Sequence, residues 1–172
     1  MIKKKVEVIQ TGKEIAVVGM SGRFPGARTV NQFWKNLKDG RESISFFSNE
    51  ELQESGVEPG LLDRPDYVKA KGLLQDKEYF DAAFFNYTPL EAEIMAPQIR
   101  IFHECTWGAL EDAGYNPERY DGLIGLYAGA SSSTYWEALS YFSGKINEIG
   151  GFAAAQLNNK DHMNARTSYS LN

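Results

Sequence analysis

Residues 80–115 read FDAAFFNYTPLEAEIMAPQIRIFHECTWGALEDAGY, and most of the fold can be read outward from them. Thr88-Pro89-Leu90-Glu91 places an N-cap hydroxyl, a proline at the first helical position and a glutamate at the third. That is a capping box, in which two side chains satisfy amide hydrogens that a first helical turn leaves without partners. Pro97 has no amide hydrogen and its ring obstructs a helix running through it, so the helix ends at about Met95. A second helix starts at Pro97 and sets Phe102, Cys105, Ala109, Leu110 and Ala113 on one apolar stripe. Gly114-Tyr115 closes it as a C′–C″ pair, glycine entering the left-handed region without a Cβ clash. Phe80, Phe84 and Phe85 bring aromatic mass in front of the helix pair.

On the N-terminal side, residues 14–20 (EIAVVGM) form a short apolar run ending in a glycine and a methionine. This predicts a buried strand that leads into the turn SGRFPG over 21–26. Val30, Phe33, Trp34 and Leu37 follow at helical spacing, an amphipathic helix stopped by Gly40. From 42 to 85 the pattern is broken by Gly56, Pro59, Gly60, Pro65 and Gly72, a long polar insertion with short local elements and not a separate domain. On the C-terminal side, residues 123–129 (LIGLYAG) predict a second buried strand and 135–142 a helix. The segment 158–172 is polar and reads as having no closing element. Strands separated by helices imply an α/β protein with a parallel sheet, and two strands leave that sheet incomplete. There is no internal repeat and no low-complexity block.

Composition narrows the function classes. The chain has 172 residues, 42% apolar and 24% charged, the proportions of one ordinary globular domain. Eighteen Lys plus Arg against 23 Asp plus Glu give a net charge of −5, so the surface does not favour phosphate backbones and no nucleic-acid partner is expected. Lys3-Lys4-Lys5 reads as a solubilising tail. No apolar stretch approaches the roughly 18 residues a membrane-spanning helix needs, and no signal peptide is visible. Cys105 is the only cysteine and cannot form an internal disulfide; a reducing, cytoplasmic compartment is expected.

Candidate chemistry is thin. Gly19-x-x-Gly22 after a strand suggests a dinucleotide loop, but the third glycine is missing and Pro25-Gly26 continues a loop where a helix should open. His103-Glu104-Cys105 are adjacent on a helix, about 100° apart, and cannot converge on one metal; His162 is the only other histidine. Each histidine is read as structural or surface. Cys105 lies inside a helix on its apolar stripe, away from any base, and reads as core packing. Ser131-Ser132-Ser133 lacks the G-x-S-x-G pattern and reads as an N-cap for the next helix. No catalytic, cofactor or metal residue is assigned.

Taken together, five ordered blocks resemble the ketosynthase (β-ketoacyl synthase) domains of modular type I polyketide synthases and hybrid peptide–polyketide assembly lines. They are IAVVGMSGRFPGA from Ile15, FWKNL from Phe33 with Gly40, the 80–115 block, GLYAGA from Gly125, and NNKDHMNARTSYSLN from Asn158. The resemblance implies an α/β fold, the N-terminal portion of the thiolase-like (αβαβα layered) architecture with an incomplete sheet. Residues 1–13 would be a tail or a linker remnant, and 14–172 the N-terminal part of the ketosynthase domain.

Against the family, Ala96-Pro97-Gln98 stands where Asp-Pro-Gln is usual, and alanine forgoes about 1 kcal/mol of helix capping. Asn86 stands for a usual glycine. Gly108 stands for a usual glutamate, at about 1 kcal/mol in a helix interior relative to alanine. In the family the nucleophilic cysteine follows the segment matching Tyr169-Ser170-Leu171-Asn172, and two histidines and a lysine lie further on. Cys105 matches a different helix cysteine. The complete domain would catalyse decarboxylative Claisen condensation of an acyl thioester with a carrier-bound malonyl-type extender, while this chain alone is expected to be inactive. The implied partners are an acyl carrier protein with its phosphopantetheine arm, the remainder of the ketosynthase domain, and a second copy in a homodimer. The alternative is a non-catalytic ketosynthase-like module that docks a carrier protein or partner chain.

Overall fold

A computed structural model describes residues 12–171 of the chain. Residues 1–11 of the expected tail, its lysine run included, and Asn172 lie outside the described residues.

The helix pair forms as its signals predict. Helix α4 (Pro89–Ile94) has both arms of its capping box: Glu91 N–H donates to Thr88 Oγ1 at 3.2 Å, and Thr88 N–H donates to Glu91 Oε2 at 2.8 Å. Helix α5 (Pro97–Ala113) ends in a Schellman arrangement, with Gly114 at φ +75°. Its Gly114 N–H donates to Glu111 O and its Tyr115 N–H to Leu110 O. Ala96 at the α5 N-cap makes no side-chain cap bond, as its lack of a polar side chain requires.

The break between α4 and α5 organises the core. Because the helix stops, the Ile94 carbonyl has no helical partner, and three donors converge on it. Trp136 Nε1 donates at 2.7 Å, Asn158 Nδ2 at 3.0 Å and Ser140 Oγ at 3.3 Å. Asn158 Oδ1 in turn accepts from Ala96 N–H at 2.8 Å. These donors come from α6 (Thr134–Phe142) and α8 (Gly151–Asn158), with α7 (Ile146–Ile149) between them. Around this joint Ile94, Met95, Ile99, Ala154, Leu157 and Met163 form the buried cluster. Each large side chain there contributes on the order of 1.5–3 kcal/mol by leaving water.

The polar segment after residue 158 was expected to lack a closing element, and the structure corrects this. Asn159 accepts from Asp161 N–H and starts a 3₁₀ turn (Lys160–His162) that continues into α9 (Met163–Leu171). Helix α9 buries Met163 and Thr167. A buried threonine stands where an apolar residue would have revealed the helical period.

Helix α1 (Val30–Lys38) is capped by Thr29 and followed by Gly40 at φ +64°, as predicted. Its apolar residues do not make a core: Trp34 and Leu37 are exposed and the buried position is Asn36. Asn36 Nδ2 donates to Gly26 O at 3.0 Å and fixes the preceding turn. The insertion carries β1 (Ile44–Phe46), α2 (Asn49–Glu54), α3 (Pro59–Leu62) and β2 (Ala70–Gly72). Strands β1 and β2 pair antiparallel, Ser45 opposite Lys71.

That pair is the only sheet among the described residues, so the two expected strands need correcting. Residues 14–20 and 123–129 are in no ladder, and Ile15 and Leu123 are 93% and 103% exposed. Runs that are apolar on both sides belong to strands covered on both faces and paired on both edges. No such neighbours are present among the described residues. Residue 19 instead crosses α5 closely, a Cβ there lying 2.5 Å from Ala109 O and 2.8 Å from Ala113 Cβ.

Candidate functional site

The unpaired segments border a groove of about 1310 Å³ whose floor is the outward face of α5. Phe102, Cys105, Ala109 and Leu110 line it, half-buried, so the stripe read as core faces an open surface. Ile15 to Gly19 form one wall and Gly122 to Leu126 another, while Ser168 and Leu171 of α9 stand at its edge. None of the described residues that line it is charged. That lining holds no acid–base pair and no charged group to stabilise a developing charge.

Cys105 is the one thiol here. Burial pushes its pKa up, and the Glu104 carboxylate adds to that, with Arg23 only partly opposing. The thiolate is the nucleophilic form, so the burial of this cysteine disfavours its reactive state. Glu104 turns away to Arg23, whose Nη1 donates to Oε2 at 2.8 Å. Arg23 also donates through Nη2 to the carbonyls of Gln75 and Asp76 at 3.2 and 3.1 Å, tying the insertion to α5.

His103, Glu104 and Cys105 do not converge, and no group of three metal-ligating side chains exists among the described residues. His162 is exposed on the 3₁₀ turn. His103 is fully buried, a satisfied core histidine. Its Nδ1 lies 2.9 Å from Ile99 O and its Nε2 3.1 Å from the Tyr87 hydroxyl. Burial lowers its pKa; the Ile99 carbonyl opposes this and Arg166 adds to it.

The Gly19-x-x-Gly22 loop does not cradle a phosphate. Gly19 is small because α5 passes against it, and a Cβ at Gly22 would meet the Phe24 ring at 2.7 Å. Phe24-Pro25-Gly26-Ala27 closes as a tight turn, with Phe24 and Ala27 exchanging hydrogen bonds of 2.8 and 3.0 Å and Gly26 at φ +68°. No helix N-terminus opens there. Ser133 occupies the N-cap position of α6, as read, yet its side chain makes no cap bond. Ser131 contributes only a backbone carbonyl, which accepts from Gln98 Nε2 at 2.8 Å.

The three departures from the family pattern acquire reasons. Asn86 sits at φ +60°, a left-handed position where glycine is free and asparagine is the best-tolerated alternative. A Cβ at Gly108 would lie 2.7 Å from Ser21 Oγ, so the helix-interior glycine makes room for the crossing segment. Ala96 is fully buried and its amide is taken by Asn158.

Sequence reasoning missed Arg100. The residue is 6% exposed, and its guanidinium donates through Nη1 to Glu78 O at 3.2 Å and lies 5.7 Å from the Trp136 ring centroid. Its Nε has no partner among the described residues. The sequence signals a buried arginine here only through its place one residue from Ile99.

Comparison with known proteins agrees with this geometry. The family described as beta-ketoacyl synthase, N-terminal domain, matches residues 12–172. One of the phenolphthiocerol/phthiocerol polyketide synthase subunits of Mycobacterium tuberculosis is 51% identical over 121 residues, covering 70% of this chain and 8% of that protein. Polyketide synthase PksL of Bacillus subtilis is 40% identical across 99% of this chain and 4% of that protein. Among solved structures, ketosynthase twelve of the bacillaene polyketide synthase from Bacillus amyloliquefaciens superposes with a TM-score of 0.73 at 36% identity. The superposition covers 91% of this chain and 27% of that ketosynthase. This chain therefore spans a small part of the length of each of these relatives.

Proposed function

The chain belongs to the β-ketoacyl synthase family, matching its N-terminal domain, and we propose that it is the N-terminal part of a polyketide-synthase ketosynthase whose catalytic groups are supplied by the rest of the domain. The carrying observation is the superposition, in which nearly the whole chain lies on about a quarter of a ketosynthase. The uncharged groove and the raised Cys105 thiol support the second half of the reading.

In the complete domain, a cysteine thiolate attacks the acyl thioester on a carrier protein's phosphopantetheine arm, and the pantetheine thiolate leaves. A malonyl-type extender on a carrier then loses carbon dioxide. Its carbanion attacks the acyl-cysteine carbonyl, a carbon–carbon bond forms and the cysteine thiolate departs. Developing charge at each step needs fixed donors, which fits histidines outside this chain. The chain contributes scaffold: α5 as the floor of the groove, and α9 as the element at its edge. The working form is a homodimer in a reducing cytoplasm, served by an acyl carrier protein.

The test is acyl transfer. The chain is co-expressed with a polypeptide carrying the remainder of a bacillaene-type ketosynthase, and an acyl-N-acetylcysteamine thioester is supplied. The pair is expected to form an acyl-enzyme on the added polypeptide, and the chain alone is expected to form none. Acylation of Cys105 in the chain alone contradicts the reading. Tight carrier-protein binding by the chain, with no acylation of the pair, favours a docking module instead.

A further inference from the structure

His103 and Thr167 are both fully buried, and 64 positions of sequence separate them. The hydrogen positions follow from the partners. Ile99 O, 2.9 Å from Nδ1, can only accept, so Nδ1 carries the hydrogen. Nε2 then has a free lone pair, and the Tyr87 hydroxyl 3.1 Å away donates to it. Thr167 Oγ1 stands 3.4 Å from the same Nδ1, a longer contact than the other two. Phe85, Tyr87 and Phe80 meet the imidazole at centroid distances of 5.4, 5.6 and 6.3 Å and close it off from water.

We infer that His103 is a positioning residue, a single-tautomer latch that joins the loop before α4, the helix α5 and the helix α9. The partners come from those three places: Tyr87, Ile99 and Thr167. Each hydrogen bond has one direction only, so the ring cannot flip without leaving a buried donor or acceptor unpaired. An aliphatic side chain would fill the space and fix nothing. The inference rests on the ketosynthase reading for its consequence. Helix α9 borders the groove through Ser168 and Leu171, so its seat on α5 sets where any following polypeptide enters that groove.

The test uses the whole 172-residue chain, because its two histidines give a simple imidazole spectrum. The chain is labelled with ¹⁵N-histidine, and a His162→Gln variant assigns the signals. Spectra are taken in solution or, on sedimented protein, by magic-angle spinning. Nδ1 of His103 is expected as the protonated nitrogen and Nε2 as the bare one. Thr167→Val, which keeps the side chain's shape, is expected to speed amide exchange across α9 about two- to fivefold, as the loss of a long hydrogen-bonding contact implies. An Nε2–H tautomer, an averaged imidazole signal, or unchanged α9 exchange in Thr167→Val overturns the inference. Neither readout needs catalysis, so a reconstituted pair that fails to acylate would remove the ketosynthase reading and leave the latch standing.

Discussion

Close approaches explain several single residues that look unfavourable in the sequence. Gly19 and Gly108 face opposite partners of one crossing, the segment before the first turn lying over α5. At Gly19 an added Cβ meets backbone, 2.5 Å from Ala109 O and 2.6 Å from Ala113 N. At Gly108 the nearest atom is Ser21 Oγ, the end of a small side chain that can rotate. Gly19→Ala should therefore release residues 15–21 from α5 and expose them to protease. Gly108→Ala should cost little, because a gain of about 1 kcal/mol in helix propensity offsets the shift of Ser21. Equal protease sensitivity in the two variants would contradict this. At Asn86, alanine should cost about 1–2 kcal/mol in denaturant unfolding and glycine far less, since the φ of +60° is what the site requires. Cys105, half-buried with its pKa raised, should react slowly with iodoacetamide at neutral pH without denaturant; rapid labelling would mark an activated thiol.

Among the elements, those fixed by local chemistry were legible and those fixed by distant partners were not. The Thr88 capping box, the Pro97 break and the Gly114 closure all lie within a few residues of sequence, and each stands where it was read. The apolar runs at 14–20 and 123–129 carry the composition of strands, but a ladder needs a second chain segment that local sequence does not contain. Helix α9 escaped because its buried Thr167 is polar, and the donors to Ile94 O escaped because Trp136, Ser140 and Asn158 lie 42, 46 and 64 positions from it in sequence. His103 was legible as a structural residue, but its link to α9 was not.

The burial of His103 gives the helix assembly a pH dependence. The His103 pKa is lowered in the folded chain, whereas the unfolded chain takes up its proton at about pH 6.5. Its stabilisation is therefore complete above about pH 6.5 and is lost as pH falls below that towards the folded value. The urea midpoint should drop between pH 7.5 and pH 5.5, and His103→Leu should lack most of that drop. A wild-type midpoint that is flat over this range would contradict the account.

At the scale of the whole molecule, an unusual amount of apolar surface remains uncovered. Ile15, Val17 and Leu123 are exposed around the groove, and Tyr127, Tyr135, Tyr141, Phe142 and Phe152 are exposed as well. Large apolar side chains left exposed in this number favour interaction or association. The chain by itself should self-associate with increasing concentration, which light scattering reads directly; a monodisperse monomer with one sharp cooperative melt would count against an unfinished domain. Hydrogen exchange over residues 15–20 and 123–129, with and without the remainder of a ketosynthase domain, tests the central claim most directly. The account predicts fast exchange in the chain alone and strong protection in the pair, as these segments gain strand partners. Strong protection in the chain alone, or no change in the pair, would contradict it.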